Sequence, residues 1–110
     1  MGLTKHEIYT SKQIELAKVA NALSHPARIA IIEELMNKNT CICGELVTEI
    51  GLSQSTISQH LKELKDVGLI KGTIDGTKNC YCIDYDNLNK NRELIDNFLT
   101  TAIKLQIICC

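Results

Sequence analysis

The sequence predicts a mainly α domain carrying one small β-hairpin, and three features predict it. Apolar residues recur at three- and four-residue steps along most of the chain, Gly51-Leu52-Ser53 separates two such stretches by a very short turn, and Asp75-Gly76 joins two runs of strand-like residues. With 110 residues and no internal repeat or linker, residues 1–110 read as one domain. A core that small gains from an apolar seam shared with a second copy.

From about residue 12 to 23, Ile14, Leu16, Ala17, Ala20 and Leu23 keep helical spacings and predict the first helix. Ser24 offers a cap and Pro26 suits the first turn of a second helix, whose Ile29, Ile32, Leu35 and Met36 are expected to line a core-facing stripe. Thr40 to Cys43 reads as a brief strand, and Gly44 to Ile50 as a third helix that Gly51 stops. Leu52 plugs the turn, and Ser53 caps a helix beginning at Gln54. On that helix Ile57, Leu61 and Leu64 face inward, while Ser55, Ser58, Gln59 and Lys62 share another face. Gly68 closes it, and Leu69 to Ile74 and Thr77 to Ile83 form the hairpin. Finally Leu94, Ile95, Phe98, Leu99, Ala102, Ile103 and Gln106 mark a long last helix whose apolar stripe needs a partner surface. The whole is a winged helix-turn-helix: helix-turn-helix about 44–67, wing about 69–84, flanking helices about 12–23 and 88–107.

In that architecture the second helix of the pair enters the major groove of DNA and the hairpin touches the flanking backbone. Ser53, Gln54, Ser55, Thr56, Ser58, Gln59, His60 and Lys62 offer hydroxyls, amides, an imidazole and an ammonium to bases and phosphates, with no carboxylate before Glu63. Lys71 and Lys78 extend the candidate contacts onto the wing. The whole chain carries a formal charge of -1, whereas from Ser53 to Lys78 the four lysines outnumber Glu63, Asp66 and Asp75. Attraction to phosphate is therefore local and modest, and a dimer would read two half-sites about 34–36 Å apart. The bland alternative is a helix corner that only builds a core.

A hydrophobic fraction of 45% and a charged fraction of 23% are ordinary for a folded domain, and no apolar run approaches the roughly 20 residues needed to span a bilayer. The N-terminus shows no secretory leader, so a cytoplasmic location and no membrane partner are expected. A Gly-rich phosphate loop, a nucleophile elbow and paired zinc-protease histidines are all missing, which argues against an enzyme.

Six cysteines in a reducing compartment call for metal binding or redox chemistry rather than stapling. Cys41 and Cys43 flank Ile42 just before the helix-turn-helix, Cys80 and Cys82 flank Tyr81 in the second wing strand, and Cys109 and Cys110 end the chain. Pairing of the short strand with the second wing strand would bring Cys80 or Cys82 close to Cys41 and Cys43. The competing readings are small apolar filler, ordinary strand packing and an inert tail. His6, His25 and His60 read as non-ligands.

From Lys12 to Phe98 the chain resembles the ArsR/SmtB family of bacterial metalloregulatory winged helix-turn-helix repressors. The resemblance is carried by Ala22-Leu23-Ser24-His25-Pro26-Ala27-Arg28-Ile29, by the run from Gly51 to Leu61, and by Gly68-Leu69-Ile70 with Gly76. It implies a homodimer built by the first and last helices, bound to operator duplex DNA near its own promoter and released by an inducer. Related repressors carry a Cys-x-Cys pair that captures arsenite, antimonite or a soft divalent metal. Here Cys43 stands three residues before Leu46 and Gly44 takes the expected cysteine position, a one-residue shift expected to turn the thiols toward the core face. Candidate ligands are Cys41, Cys43, Cys109 and Cys110, with Cys80 and Cys82 as further candidates and no organic cofactor. Trivalent arsenic would take three thiolates, zinc or cadmium four. The last helix has no histidine, so the family's separate zinc site there is not expected. The alternative is a redox or persulfide switch on the same cysteines.

Overall fold

The structure is a computed structural model that describes residues 8–38, 41–43, 51–73 and 80–106. Helix α1 (Ser11–Ala22) opens on a capping box, in which the Thr10 amide donates to Gln13 Oε1 at 2.8 Å and the Gln13 amide donates to Thr10 Oγ1 at 3.1 Å. Helix α2 (Pro26–Lys38) follows with Pro26 in its first turn. Ser24 does not cap it. The Ser24 hydroxyl turns back to donate to the Asn21 carbonyl at 2.6 Å, and the His25 carbonyl accepts the amides of Arg28 and Ile29.

The buried face of α2 runs through Arg28, Ile31 and Leu35, which corrects the expected stripe. Ile29 and Met36 are 39% and 55% exposed, while Ile32 is half-buried against the core. Two adjacent stripes of this helix are apolar enough to pack, and the one chosen begins with an arginine because its charge finds hydrogen-bond partners inside.

Strand β1 (Ile42–Cys43), β2 (Ile70–Thr73) and β3 (Cys80–Ile83) form an antiparallel sheet in the order β1-β3-β2. Ile42 pairs with Tyr81 on one edge of β3, and Ile70 with Ile83 and Gly72 with Tyr81 on the other. The period-two alternation buries Ile70, Tyr81 and Ile83. Between β1 and β2 lies helix α3 (Gln54–Asp66), whose Ile57, Leu61 and Leu64 are buried as their spacing requires. Gly68, at φ 79°, ends it in a Schellman motif, its amide donating to the Lys65 carbonyl and the Leu69 amide to the Leu64 carbonyl.

Helix α4 (Tyr85–Lys104) starts three residues before the expected boundary, because the Asp84 carboxylate accepts the Asn87 amide at 3.2 Å and sets the N-terminus there. Buried residues of α1, α2, α3 and the sheet close one core, from Ala22 and Ile31 to Leu64, Tyr81 and Ile83. Helix α4 contributes no buried residue and meets that core through half-buried Leu88. Leu94 and Ile95 are half-buried, but Phe98, Leu99 and Ile103 are 59%, 52% and 69% exposed beside an open groove of about 420 Å³ between α1 and α4. Among the described residues, no helix is long and apolar enough to cross a membrane. The expected helix 44–50 and the Asp75-Gly76 turn lie outside the described residues.

Candidate functional site

Helix α3 presents its polar ridge on the side opposite Ile57, Leu61 and Leu64. Gln54, Ser55, Thr56, Gln59 and Lys62 are exposed, and Ser58 and His60 are half-buried. Ser53 is committed to the cap: its hydroxyl oxygen accepts from the Thr56 amide at 3.4 Å and lies 2.9 Å from Thr56 Oγ1 and 3.3 Å from Ser55 Oγ. Gln54 Nε2 donates to Ser58 Oγ at 3.4 Å, and Gln59 Nε2 to Glu63 Oε1 at 3.1 Å. The amides that would read bases are thus held along the helix, each with one side still open to a ligand. The helix N-terminus adds unpaired backbone N–H groups and a positive dipole end, a ready phosphate contact.

His60 is the ridge residue with an inward anchor. Its Nδ1 accepts from Arg28 Nε at 3.1 Å, and its ring lies 5.7 Å from that of His25. Burial lowers its pKa below the usual imidazole value, the neighbouring Arg28 and His25 lower it further, and Glu63 opposes them. The neutral ring is favoured. Arg28 is only 7% exposed and also donates from Nη1 to the Asn21 carbonyl at 3.3 Å, so it ties the α1–α2 corner to α3. Sequence reasoning did not single out Arg28. The signal available was a lone arginine on the apolar side of α2, two residues after Pro26.

The wing joins the same surface. Lys65 Nζ, from the last turn of α3, donates to the Gly72 carbonyl of β2 at 2.7 Å, and Lys71 is exposed beside it. Lys78 lies outside the described residues.

Cys41, immediately before β1, is exposed, Cys82 is half-buried, and both are free thiols. A hydrogen bond with Cys41 raises the Cys82 pKa above the ordinary thiol value; burial and the charge on Cys41 add to this, Asp84 contributes in the same direction, and Lys71 opposes. At neutral pH Cys82 is therefore held protonated. The expected turn of both thiols toward the core is corrected at Cys41. Ile42 packs against the core opposite buried Tyr81, which leaves Cys41 on the outer side of the ladder. The register is set by these two apolar side chains, which have more to gain from burial than a thiol.

Cys80 is exposed and disulfide-bonded, and its Cα partner across the β1–β3 ladder is Cys43. Cys109, Cys110 and His6 lie outside the described residues. Among the described residues, no three His, Cys, Asp or Glu side chains converge to hold a metal ion, so Cys41 and Cys82 stand as a two-sulfur pair.

A family model described as "Bacterial regulatory protein, arsR family" matches residues 25–71. An uncharacterized HTH-type transcriptional regulator of Methanocaldococcus jannaschii is 34% identical over 86 residues, 77% of this chain and 96% of that protein. The arsenical resistance operon repressor of Staphylococcus xylosus is 32% identical over 85 residues, 74% of this chain and 81% of that one. In fold, the chain is similar to the homodimeric winged helix-turn-helix DNA-binding domain of a possible ArsR-family regulator from Mycobacterium bovis, at a TM-score of 0.58 and 24% identity over 96% of this chain and 94% of that one. The capped polar helix, its wing and these relatives agree, and the chain belongs to the ArsR family of DNA-binding transcriptional regulators.

Proposed function

We propose that this chain is a cytoplasmic, homodimeric, non-enzymatic repressor that leaves its operator when a thiophilic inducer is captured at Cys41 and its neighbours. The inducer class is arsenite or antimonite, or a soft divalent metal ion. The observation that carries the reading is the contact between the exposed Cys41 thiol and Cys82 of the wing strand. Two soft donors already share one face, beside the strand that leads into the reading unit. Cys43, Cys80, Cys109 and Cys110 complete the candidate ligand set.

The coupling has a physical route. Drawing β1 and β3 together shifts the wing, the wing is tied to α3 through Lys65 and Gly72, and α3 carries the ridge that meets DNA. A coupling of about 1–3 kcal/mol, roughly 5- to 150-fold in operator affinity, is enough for a working switch. Dimerisation is supported by the uncovered Phe98, Leu99 and Ile103 stripe and by the homodimeric relative, and release by arsenicals by the relative named for arsenical resistance.

The test is operator binding by the reduced protein, on duplexes selected from a random library, with and without arsenite, antimonite and cadmium. Loss of affinity with one of these is expected. Unchanged affinity with all three defeats the inducer reading, and failure to select any duplex defeats the operator reading. A second reading, thiol oxidation as the signal, is favoured by the disulfide at Cys80. Two thiols would pass two electrons and two protons to a peroxide, which leaves as water. Peroxide-driven release that survives a metal chelator would select it.

A further inference from the structure

We infer that Cys41 and Cys82 form a two-sulfur site for a soft monovalent metal ion of the copper(I) and silver(I) class, with Lys71 beside it as the compensating charge. The site goes beyond the arsenite, antimonite and divalent-ion class named above, and it stands whether or not loading it releases DNA.

The β1–β3 ladder places the two thiols. Ile42 faces Tyr81 across it, so the next facing positions are Cys41 and Cys82. Ile42 and Tyr81 take the core side, and the period-two alternation of β3 leaves Cys82 half-buried on the outer side, where Cys41 is exposed. Both are free thiols, and their side chains already share a hydrogen bond. Among the described residues no third ligand joins them. Cys80, two residues back along β3 and on the same side, has its sulfur in a disulfide, and no three His, Cys, Asp or Glu side chains converge.

Donor number then selects the ion. A closed zinc site takes four ligands, twice what this pair supplies. Copper(I) is the ion that soft sulfur donors select, and it and silver(I) are filled-shell ions that two thiolates in a line satisfy. With metal–sulfur bonds of about 2.3 Å, two sulfurs on opposite sides of one ion stand about 4.6 Å apart. Facing positions on antiparallel strands have Cβ atoms about 4.5–5.5 Å apart, so two side-by-side thiols span that distance without moving either strand.

Charge and access agree. Two thiolates around a monovalent ion leave one net negative charge, and Lys71, the Cα partner of Cys82 on the other edge of β3, is exposed on the same outer side of the sheet. The same pair around a divalent ion is neutral and gains nothing from the ammonium. Cys41 is open to solvent and gives the ion its entry. On loading, each thiol gives its proton to buffer as its sulfur bonds the ion, two protons per ion with no change of oxidation state.

The experiment uses the full chain with its disulfide intact, titrated with silver(I) in chloride-free buffer without oxygen or DNA. Expected for the first ion bound are one per chain, two protons released, two sulfur neighbours by X-ray absorption, and protection of Cys41 and Cys82 from a maleimide. Cys41→Ser and Cys82→Ser should each weaken its binding by at least about tenfold while retaining the wild-type far-ultraviolet circular dichroism. Lys71→Gln should weaken it about two- to fivefold. The double variant Cys109→Ser/Cys110→Ser should bind this ion as wild type. Three or more sulfur neighbours, one ion shared by two chains, loss of the first ion in the double variant, or indifference to both Cys41→Ser and Cys82→Ser would overturn the inference. The inducer reading fails separately. Two-sulfur silver binding with operator affinity unchanged by arsenite, antimonite and cadmium removes the inducer role and leaves this site, whereas arsenite-driven release in a chain that holds silver through three or more sulfurs removes this site and leaves the inducer role.

Discussion

Arg28 and His60 stand 32 positions apart in the chain, yet the guanidinium Nε of one donates to the imidazole Nδ1 of the other at 3.1 Å. A neutral imidazole that accepts at Nδ1 carries its proton at Nε2, so Arg28 sets the tautomer of a residue on the polar ridge of α3. The same guanidinium holds the Asn21 carbonyl at the end of α1. One buried charge thus aligns three helices.

Replacing Arg28 by Met should therefore cost stability and operator affinity together. The His60 nitrogen loses its donor in a partly buried setting, worth about 1–3 kcal/mol, the Asn21 carbonyl keeps only the Ser24 amide and hydroxyl, and α3 loses an anchor near the middle of its ridge. Urea denaturation at neutral pH should register the first effect. A fall in operator affinity under conditions where the variant is still fully folded should register the second. Arg28→Lys should recover only part of either, because an ammonium does not reproduce the two-directional fork.

His60 also predicts a pH response. Its folded-state pKa is lowered, by burial first and then by Arg28 and His25, with Glu63 opposing, so the unfolded chain takes up this proton at a higher pH than the folded one. The stabilising contribution is complete above the ordinary imidazole pKa of about 6.5 and is lost as pH falls from there through the lowered value. Urea midpoints measured from pH 7.5 down to 5 should decline more steeply for the wild type than for His60→Gln. Parallel declines would assign the acid sensitivity elsewhere.

Gly72 is required by the approach of β2 to β3. Its φ is 129°, and a Cβ built there would collide with the Cys80 carbonyl oxygen and come within 2.7 Å of Tyr81 Cα. Gly72→Ala should destabilise the domain by on the order of 1–3 kcal/mol, since only backbone can move out of the way. The strand that would shift carries Cys80 and Cys82, so thiol reactivity toward a maleimide should change along with the melting temperature. A variant with wild-type stability would show that the ladder has more slack than its register implies.

Most of this fold was legible because its elements follow local rules. Ser53 caps α3, Ile57, Leu61 and Leu64 point inward, and Gly68 closes the helix as spacing and glycine chemistry required. The errors came where two local answers were nearly equal. Ser24 and His25 both precede Pro26, and a hydroxyl free to bond backward left the capping carbonyl to His25. On α2 the stripe through Ile29 and Met36 competed with one through Arg28, Ile31 and Leu35, and only the tertiary partners His60 and Asn21 made burial of an arginine favourable. The cysteine face was half legible. Pairing of the two Cys-x-Cys strands was foreseeable, but which side Cys41 takes depends on Ile42 meeting Tyr81, a contact between residues 39 positions apart in sequence.

The polar ridge predicts how binding should divide between affinity and specificity. Lys62 is exposed on α3 and, as a point charge, suits a phosphate, so Lys62→Ala should weaken binding to all duplexes alike and reduce the slope of log affinity against log salt by about 1 for each half-site. Gln59 differs, because its amide is held at 3.1 Å by Glu63 and offers the paired donor and acceptor that match an adenine edge. Gln59→Ala should cost about 1–3 kcal/mol on the preferred operator, relax preference at one base pair per half-site, and leave the salt slope unchanged. Binding measured between 50 and 200 mM salt, on the selected duplex and on single-base variants of it, separates the two roles. If both substitutions moved only the salt slope, α3 would be gripping the backbone and base reading would belong to another part of the chain.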